Sequence, residues 1–197
     1  MENNTLISLF SGAGGMDLGF KMAGFNTIWA NEFDKKIHPT YALNFPEVNL
    51  NIRSITEVPI NTIPYAAGII GGPPCQSFSE AGAGRGINDP RGKLFWNYID
   101  ILESKKPLFF VAENVSGLMS IKHKKDLDGF ILAFKNAGYN VSANLLTASN
   151  FGVPQDRQRL IIVGYRKDLN KTFESPPIVA IKPTIKDAIG ELDEALP

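Results

Sequence analysis

The sequence has a single cysteine, no net charge and no long apolar run. One thiol cannot form an internal disulfide, and a structural zinc site usually takes several cysteines, so the common structural uses of cysteine are largely excluded. Because no apolar run approaches the roughly 20 residues of a membrane span, we expect neither a signal peptide nor an anchor, and a cytoplasmic protein. The 20 basic and 20 acidic residues balance, which argues against a strong electrostatic binder of nucleic acid.

The lone cysteine, Cys75, follows an apolar run at residues 66–70 and the stiff sequence GGPP. A thiol presented on such a loop at the end of a strand is typical of a nucleophile, whereas a buried cysteine acting as a small hydrophobe is the structural alternative. Position alone leaves both interpretations open. Residues 80–90 are glycine-rich and too broken for a regular element, so we predict a mobile loop suited to closing over a site.

Apolar runs alternate with amphipathic stretches along the chain. This alternation predicts an α/β fold with a mostly parallel sheet covered by helices on both faces. The predicted strands are 6–10, 27–30, 48–52, 66–70, 108–112, 140–146 and 159–163, and the predicted helices are 16–23, 35–44, 93–103, 125–136 and 185–192. Residues 1–170 are expected to form one domain, and the Pro-rich residues 171–197 a linker.

A glycine-rich turn at residues 10–15 separates the first predicted strand from the first helix, where an open α/β sheet binds a nucleotide-like ligand. Asp17 takes the place of the third glycine of the dinucleotide fingerprint, and its carboxylate disfavours a pyrophosphate. A cationic adenosine ligand such as S-adenosylmethionine suits the turn better. Glu32 is then placed to accept from the ribose and Phe33 to pack on the adenine, although an ordinary turn and a surface glutamate would leave the same pattern.

Four short motifs follow one another along the chain: LFSGAGG at 9–15, GPPCQS at 72–77, ENV at 113–115 and QDRQR at 155–159. In order and spacing they resemble the motifs of the cytosine-C5 DNA methyltransferases. The resemblance runs from Thr5 to about Leu192 and implies the Rossmann-like fold of S-adenosylmethionine-dependent methyltransferases. Ser79, Glu80 and residues 85–95 are most similar to bacterial enzymes that methylate GGCC in restriction-modification systems.

The resemblance implies a role for individual residues. Cys75 adds to carbon 6 of a cytosine flipped out of duplex DNA, Glu113 bonds ring nitrogen 3, Arg159 donates to the oxygen at position 2, and Arg157 supports the pocket or the thiol. The implied contacts of S-adenosylmethionine, which leaves as S-adenosylhomocysteine, are Phe10, Ser11, Gly12, Ala13, Gly14, Gly15, Asp17, Leu18, Asn31, Glu32, Phe33, Asn51, Ile52, Gly72, Pro74 and Leu94. The implied contacts of double-stranded DNA are Pro74, Gln76, Ser79, Arg85 and Asn114, although Asn114 is better suited to holding the loops. No metal ligand is implied.

The sequence also departs from the family pattern. Ser8 stands where many members have an aspartate, and Asn51 where an aspartate usually meets the adenine amine, although an amide oxygen can still accept that bond. Members continue into a target-recognition domain and a final motif, so we expect a C-terminal portion in the same or a second chain, and weak cofactor retention without it. A tRNA cytosine-C5 methyltransferase and a non-catalytic partner subunit are the alternatives; Cys75, Glu113 and Arg159 disfavour the second.

Overall fold

The computed structural model describes residues 4–74 and 90–192. Within these ranges the strands are β1 (Thr5–Leu9), β2 (Asn26–Asn31), β3 (Asn49–Asn51), β4 (Gly68–Gly71), β5 (Phe109–Val115), β6 (Tyr139–Thr147) and β7 (Gln158–Arg166). The α-helices of the described part are α1 (Gly15–Met22), α2 (His38–Asn44), α3 (Pro90–Lys105), α4 (Lys124–Asn136) and α5 (Ile185–Ile189). No helix in the same two ranges is long and apolar enough to cross a membrane.

The described strands form one sheet in the order β3-β2-β1-β4-β5-β7-β6. Neighbouring strands pair in parallel except β7, which is antiparallel to both β5 and β6. The carboxyl ends of the parallel strands therefore meet at one edge of the sheet, and the beginning of β7 lies at that same edge. The predicted α/β fold with a mostly parallel sheet is confirmed.

Helices cover both faces of the sheet. On one face, Ile7 and Phe110 pack in the larger core with residues of α3 and α4, and the rings of Phe110 and Phe134 stack at 4.3 Å. On the other face, Ala30 packs against Tyr41 and the neighbouring Phe45. Side chains alternate between the two faces along each strand, which is why every second strand residue contributes to the larger core.

Several predicted boundaries are wrong by a few residues. The helix α3 begins at residue 90 rather than 93, and β5 and β7 end at residues 115 and 166 rather than 112 and 163. The two strands run further because they pair with each other throughout, from Phe109 with Tyr165 to Val115 with Arg159. The predicted linker is held against the sheet at two points: Nδ2 of Asn140 in β6 donates to Lys171 O at 3.3 Å, and Val179 N–H donates at 2.8 Å to Asn150 O in the 3-10 turn that follows β6.

A buried carboxylate joins β1, α1 and α2. Asp17 is fully buried, and its two oxygens accept hydrogen bonds from the hydroxyls of Ser8 and Tyr41, each at 2.9 Å. Burial and the nearby Asp17 carboxylate raise the pKa of the Tyr41 hydroxyl far above its usual value, so that hydroxyl remains a donor. Asp17 lies in the first turn of α1, where the positive end of the helix dipole also favours its charge.

Removing one donor from this carboxylate is expected to destabilise the fold. A hydrogen bond to a charged group contributes about 1.5–3 kcal/mol, so Tyr41→Phe should lower the free energy of unfolding by about that amount in a chemical denaturation. Tyr65→Phe is the matched control because Tyr65 is 58% exposed, and its loss of a hydroxyl should cost less than about 0.5 kcal/mol. Equal unfolding free energies for the two variants would show that the carboxylate does not depend on Tyr41.

Candidate active site

The glycine-rich turn leaves the carboxyl end of β1 and enters α1. Its backbone is left-handed at Phe10, Gly12 and Gly14, with φ of 55°, 55° and 88°. A side chain at Gly14 would be strained by this φ, and its Cβ would also clash with the ring of Phe45. The turn therefore depends on glycine at this position, both for its conformation and for its packing on Phe45, the residue after α2.

The side chain of Glu32 holds this turn against the end of β2. Its Oε2 accepts from Gly12 N–H at 2.8 Å, and its Oε1 accepts from Asp34 N–H at 2.8 Å. A carboxylate has about four acceptor sites, so both oxygens can still accept from the hydroxyls of a ligand. The residue predicted to bind the ribose thus also shapes the turn.

A cavity of about 400 Å³ opens beside Glu32 at the sheet edge. Five of the residues implied as cofactor contacts line it: Phe10, Asn31, Glu32, Phe33 and Leu94. Sequence reasoning missed the other lining residues, which are Ser54, Ile55, Thr56 and Lys93. A short 3-10 turn and the start of α3 carry most of these residues, and neither has a motif that marks it. Next to the cavity residue Phe10, the Ser11 hydroxyl is buried and has no partner among the described residues.

Other implied cofactor contacts lie outside the cavity lining. Asp17 does not face the cavity: its carboxylate is engaged by Ser8 and Tyr41, so it supports the turn from within the fold. Leu18 and Ile52 are about half exposed. The amide oxygen of Asn51, expected to meet an adenine amine, accepts from Arg53 N–H at 3.1 Å. That bond leaves one lone pair of the oxygen for a ligand.

The backbone that leads to Cys75 lies against β5. A Cβ built on Gly72 would lie 3.0 Å from Oε2 of Glu113, so the carboxylate packs directly on the glycine backbone. The next residue of β5, Asn114, donates from Nδ2 to the carbonyl of Pro73 at 2.9 Å, and its Oδ1 accepts from Val115 N–H at 2.9 Å. Two consecutive side chains of β5 thereby contact the GPP segment, as expected for an asparagine that holds the loops.

Glu113 and Arg159 form an ion pair across the antiparallel strands β5 and β7. Nε of Arg159 lies 2.6 Å from Oε1 of Glu113, and the two side chains are 26% and 30% exposed. They share a face because Arg159 pairs with Val115, two residues beyond Glu113. Nη1 of Arg159 also donates to Gln158 O at 2.8 Å. Arg157, by contrast, is exposed.

A second, polar recess of about 610 Å³ adjoins Arg159. It lies where β5 and β6 end and β7 begins, and it is lined by Ser116, Thr147, Gln155, Asp156, Arg157, Gln158 and Arg159. Sequence reasoning missed Ser116 and Thr147, because a lone serine or threonine after a strand carries no distinguishing pattern. The strand register is the signal that brings them beside the QDRQR motif.

Some predicted residues lie outside the described ranges. They are Cys75, Gln76, Ser79 and Arg85, together with residues 80–89 of the predicted loop. Pro74, the last described residue before this gap, is partly buried. Among the described residues, no group of three or more His, Cys, Asp or Glu side chains is placed to hold a metal ion.

Comparison with known proteins identifies the family. The model of C-5 cytosine-specific DNA methylases matches residues 4–196. The Type II methyltransferase M.FnuDI of Fusobacterium nucleatum is 53% identical over 98% of this chain and 57% of its own length. The Type II methyltransferase M.AquIA of a Picosynechococcus species is 40% identical over 98% of this chain and 90% of its own length. The crystal structure of an E. coli protein described as a prophage-encoded DNA modification methyltransferase superimposes with a TM-score of 0.82 at 30% identity, covering 98% of this chain and 56% of that one. The chain thus spans little more than half of M.FnuDI, and it belongs to the C-5 cytosine-specific DNA methylase family.

Proposed function

We propose that this chain is the catalytic portion of a DNA (cytosine-5)-methyltransferase of a bacterial Type II restriction-modification system, acting in the cytoplasm. The substrate is a cytosine flipped out of duplex DNA, and the methyl group is accepted at carbon 5. The Glu113–Arg159 ion pair carries the proposal, because it places an acid and a cationic donor beside the segment that leads to the only cysteine. Membership of the family supports the reaction class.

The ion pair matches one edge of a cytosine ring. In cytosine, ring nitrogen 3 is bonded to carbon 2, which carries the oxygen. The two groups are therefore neighbours, as are the side chains of Glu113 and Arg159, which are in contact at 2.6 Å. Glu113 would bond nitrogen 3 while Arg159 donates to the oxygen. Until a base enters, the two charges neutralise each other, so neither is left unpaired in a partly buried site.

Covalent catalysis then follows from the position of Cys75 in the sequence. Its thiolate adds to carbon 6, and the ring electrons shift to make carbon 5 nucleophilic. Glu113, protonated when the base enters, gives this proton to nitrogen 3 so that no negative charge accumulates on the ring, and it takes the proton back when the thiolate leaves. Once carbon 5 carries the methyl group, loss of its proton expels the thiolate and restores the ring. No side chain is assigned as the base that takes this last proton.

The cavity beside Glu32 fits S-adenosylmethionine. Its volume of about 400 Å³ is in the range of small-ligand sites. Glu32 retains lone pairs for ribose hydroxyls, Phe33 is 65% exposed and free to pack on adenine, and the buried Ser11 hydroxyl nearby lacks a partner within the described chain. The bound cofactor supplies a methyl group activated by a sulfonium, and the carboxylate of Glu32, which lines the cavity, favours that positive charge.

Recognition of GGCC and a further C-terminal portion belong to the same proposal. Recognition of GGCC rests on the resemblance at Ser79, Glu80 and residues 85–95. For the second, support comes from α5, where Ile185 and Ile189 are 64% and 53% exposed and no residue is buried. This chain covers 57% of M.FnuDI but 90% of M.AquIA. Because the two relatives differ so much in length, the C-terminal portion should be tested both in the same chain and as a second chain.

Substitution of Gly72 is expected to impair catalysis by displacing Glu113. The new Cβ would lie 3.0 Å from Oε2, a separation that obliges the carboxylate to move by a few tenths of an ångström. Because a misplacement of about 1 Å can cost about 100-fold in rate, Gly72→Ala should lower kcat by roughly tenfold. Gly117→Ala is the control, since its Cβ meets nothing within 4 Å. Equal kcat values for the two variants would contradict the proposed role of the Gly72 contact.

Substitution of Glu32 is expected to weaken cofactor binding. Glu32→Gln replaces one of the carboxylate oxygens that accept from Gly12 and Asp34, and it removes the charge that favours a cationic ligand. Isothermal titration with S-adenosylmethionine should show a Kd raised by at least about tenfold. The exposed Glu57, which does not line the cavity, gives the control Glu57→Gln. An unchanged Kd for Glu32→Gln would remove Glu32 from the cofactor site.

A covalent adduct tests the reaction itself. The chain, alone and fused to the part of M.FnuDI that follows the matched region, is incubated with S-adenosylmethionine and a duplex that carries 5-fluorocytosine at GGCC. Fluorine blocks the final elimination, so an adduct stable to denaturing electrophoresis should form and should be absent for Cys75→Ala. An equal adduct with Cys75→Ala contradicts the mechanism. Methylation of tRNA but not of the duplex indicates an RNA enzyme, and no adduct in either form indicates a non-catalytic subunit.

A further inference from the structure

Apart from Arg159, the residues that line the polar recess have no part in the chemistry proposed for the base. We propose that it binds the phosphodiester that flanks the target cytosine, with the hydroxyls of Ser116 and Thr147 and the guanidinium of Arg157 as donors. This inference rests on the proposed function, since it takes the target base to lie against Glu113 and Arg159.

The recess is built by three neighbouring strands. Ser116 follows the last residue of β5, Thr147 is the last residue of β6, and the QDRQR motif leads into β7, which lies between the other two. Thr147 pairs with Gln158, and Val115, the residue before Ser116, pairs with Arg159. The two hydroxyl side chains therefore flank the start of β7 on opposite sides.

The side chains of the recess have uncommitted hydrogen-bonding groups on a fixed backbone. Within residues 4–74 and 90–192, no side-chain hydrogen bond engages Ser116, Thr147 or Arg157, whereas Arg159 is paired with Glu113. The backbone of Arg157 is held at both of its polar groups, because its N–H donates to Gln155 O at 3.0 Å and its carbonyl accepts from Ala148 N–H at 2.9 Å. A rigid backbone with free polar side chains is the arrangement expected of a binding site.

The chemistry of cytosine determines which part of the nucleotide would reach the recess. The oxygen at position 2 is carried by the ring carbon bonded to nitrogen 1, and nitrogen 1 bears the sugar. If Arg159 donates to that oxygen, the sugar and its phosphates leave the ring on the side of Arg159, toward the recess that this residue lines. Serine and threonine hydroxyls and arginine are common donors to DNA phosphates. The lining residues are all polar, which suits a phosphodiester better than a stacked base.

Asp156 gives this site a diagnostic property. Its carboxylate also lines the recess, and it would repel a phosphate. Asp156→Asn should therefore tighten DNA binding, whereas Arg157→Gln should weaken it and reduce the slope of log K against log salt concentration by about 1. Opposite effects from adjacent residues are not expected from a general loss of folding.

The experiment uses whichever form of the protein gives the 5-fluorocytosine adduct. DNA affinity is measured by fluorescence anisotropy for wild type, Thr147→Val and Thr147→Val/Arg157→Gln, with duplexes that carry a neutral methylphosphonate at the phosphate on either side of the target. Thr147→Val should raise the Kd for DNA about fivefold and leave the Kd for S-adenosylmethionine unchanged. Thr172→Val, at an exposed position, is the control and should change neither.

The double variant gives the decisive comparison. One methylphosphonate should weaken binding by wild type and have little further effect on the double variant, because the contact is already lost. An equal penalty in both proteins, or weaker binding by Asp156→Asn, overturns the inference while leaving the proposed function intact. Absence of any adduct with wild type overturns the proposed function, and this inference with it.

Discussion

The close contact between β4 and β5 is the constraint on which the catalytic end depends. Gly71 pairs with Ala112, so the next residues of the two strands, Gly72 and Glu113, are forced together where the strands end. A glycine at position 72 leaves room for the Glu113 carboxylate, whereas a Cβ there would oblige it to move. Asn114 then reaches the Pro73 carbonyl, and the segment before Cys75 is held by two successive residues of one strand.

Local sequence patterns were sufficient to predict the alternation of strands and helices, the mostly parallel sheet and the glycine-rich turn. Each of these is signalled by apolar periodicity or by glycines within a few consecutive residues. They were insufficient for Asp17. The sequence places this carboxylate beside a glycine-rich turn, which suggests that it faces a cationic ligand. In the structure it accepts a hydrogen bond from Tyr41, which lies 24 residues further along the chain. The extended β5 and β7 were missed for a similar reason, since their length is set by pairing with each other rather than by either segment.

The structure also adds meaning to residues that the sequence did identify. Glu32 was expected to bind a ribose, and its bonds to Gly12 and Asp34 show that the same carboxylate shapes the turn before any ligand arrives. Such a preformed site loses less conformational freedom on binding. Ser116 and Thr147 illustrate the opposite case, because common residue types become candidates only when three strand ends converge.

The antiparallel placement of β7 has a consequence for how this part of the protein can vary. Glu113 and Arg159 belong to strands that run in opposite directions, and the 43 residues between Val115 and Arg159 include a helix and β6. Loops in that interval can change length without altering the ion pair. A one-residue insertion inside β7 would move the guanidinium of Arg159 to the other face of the sheet, into the apolar core. Insertions can therefore be accommodated in the connecting loops but not in β7.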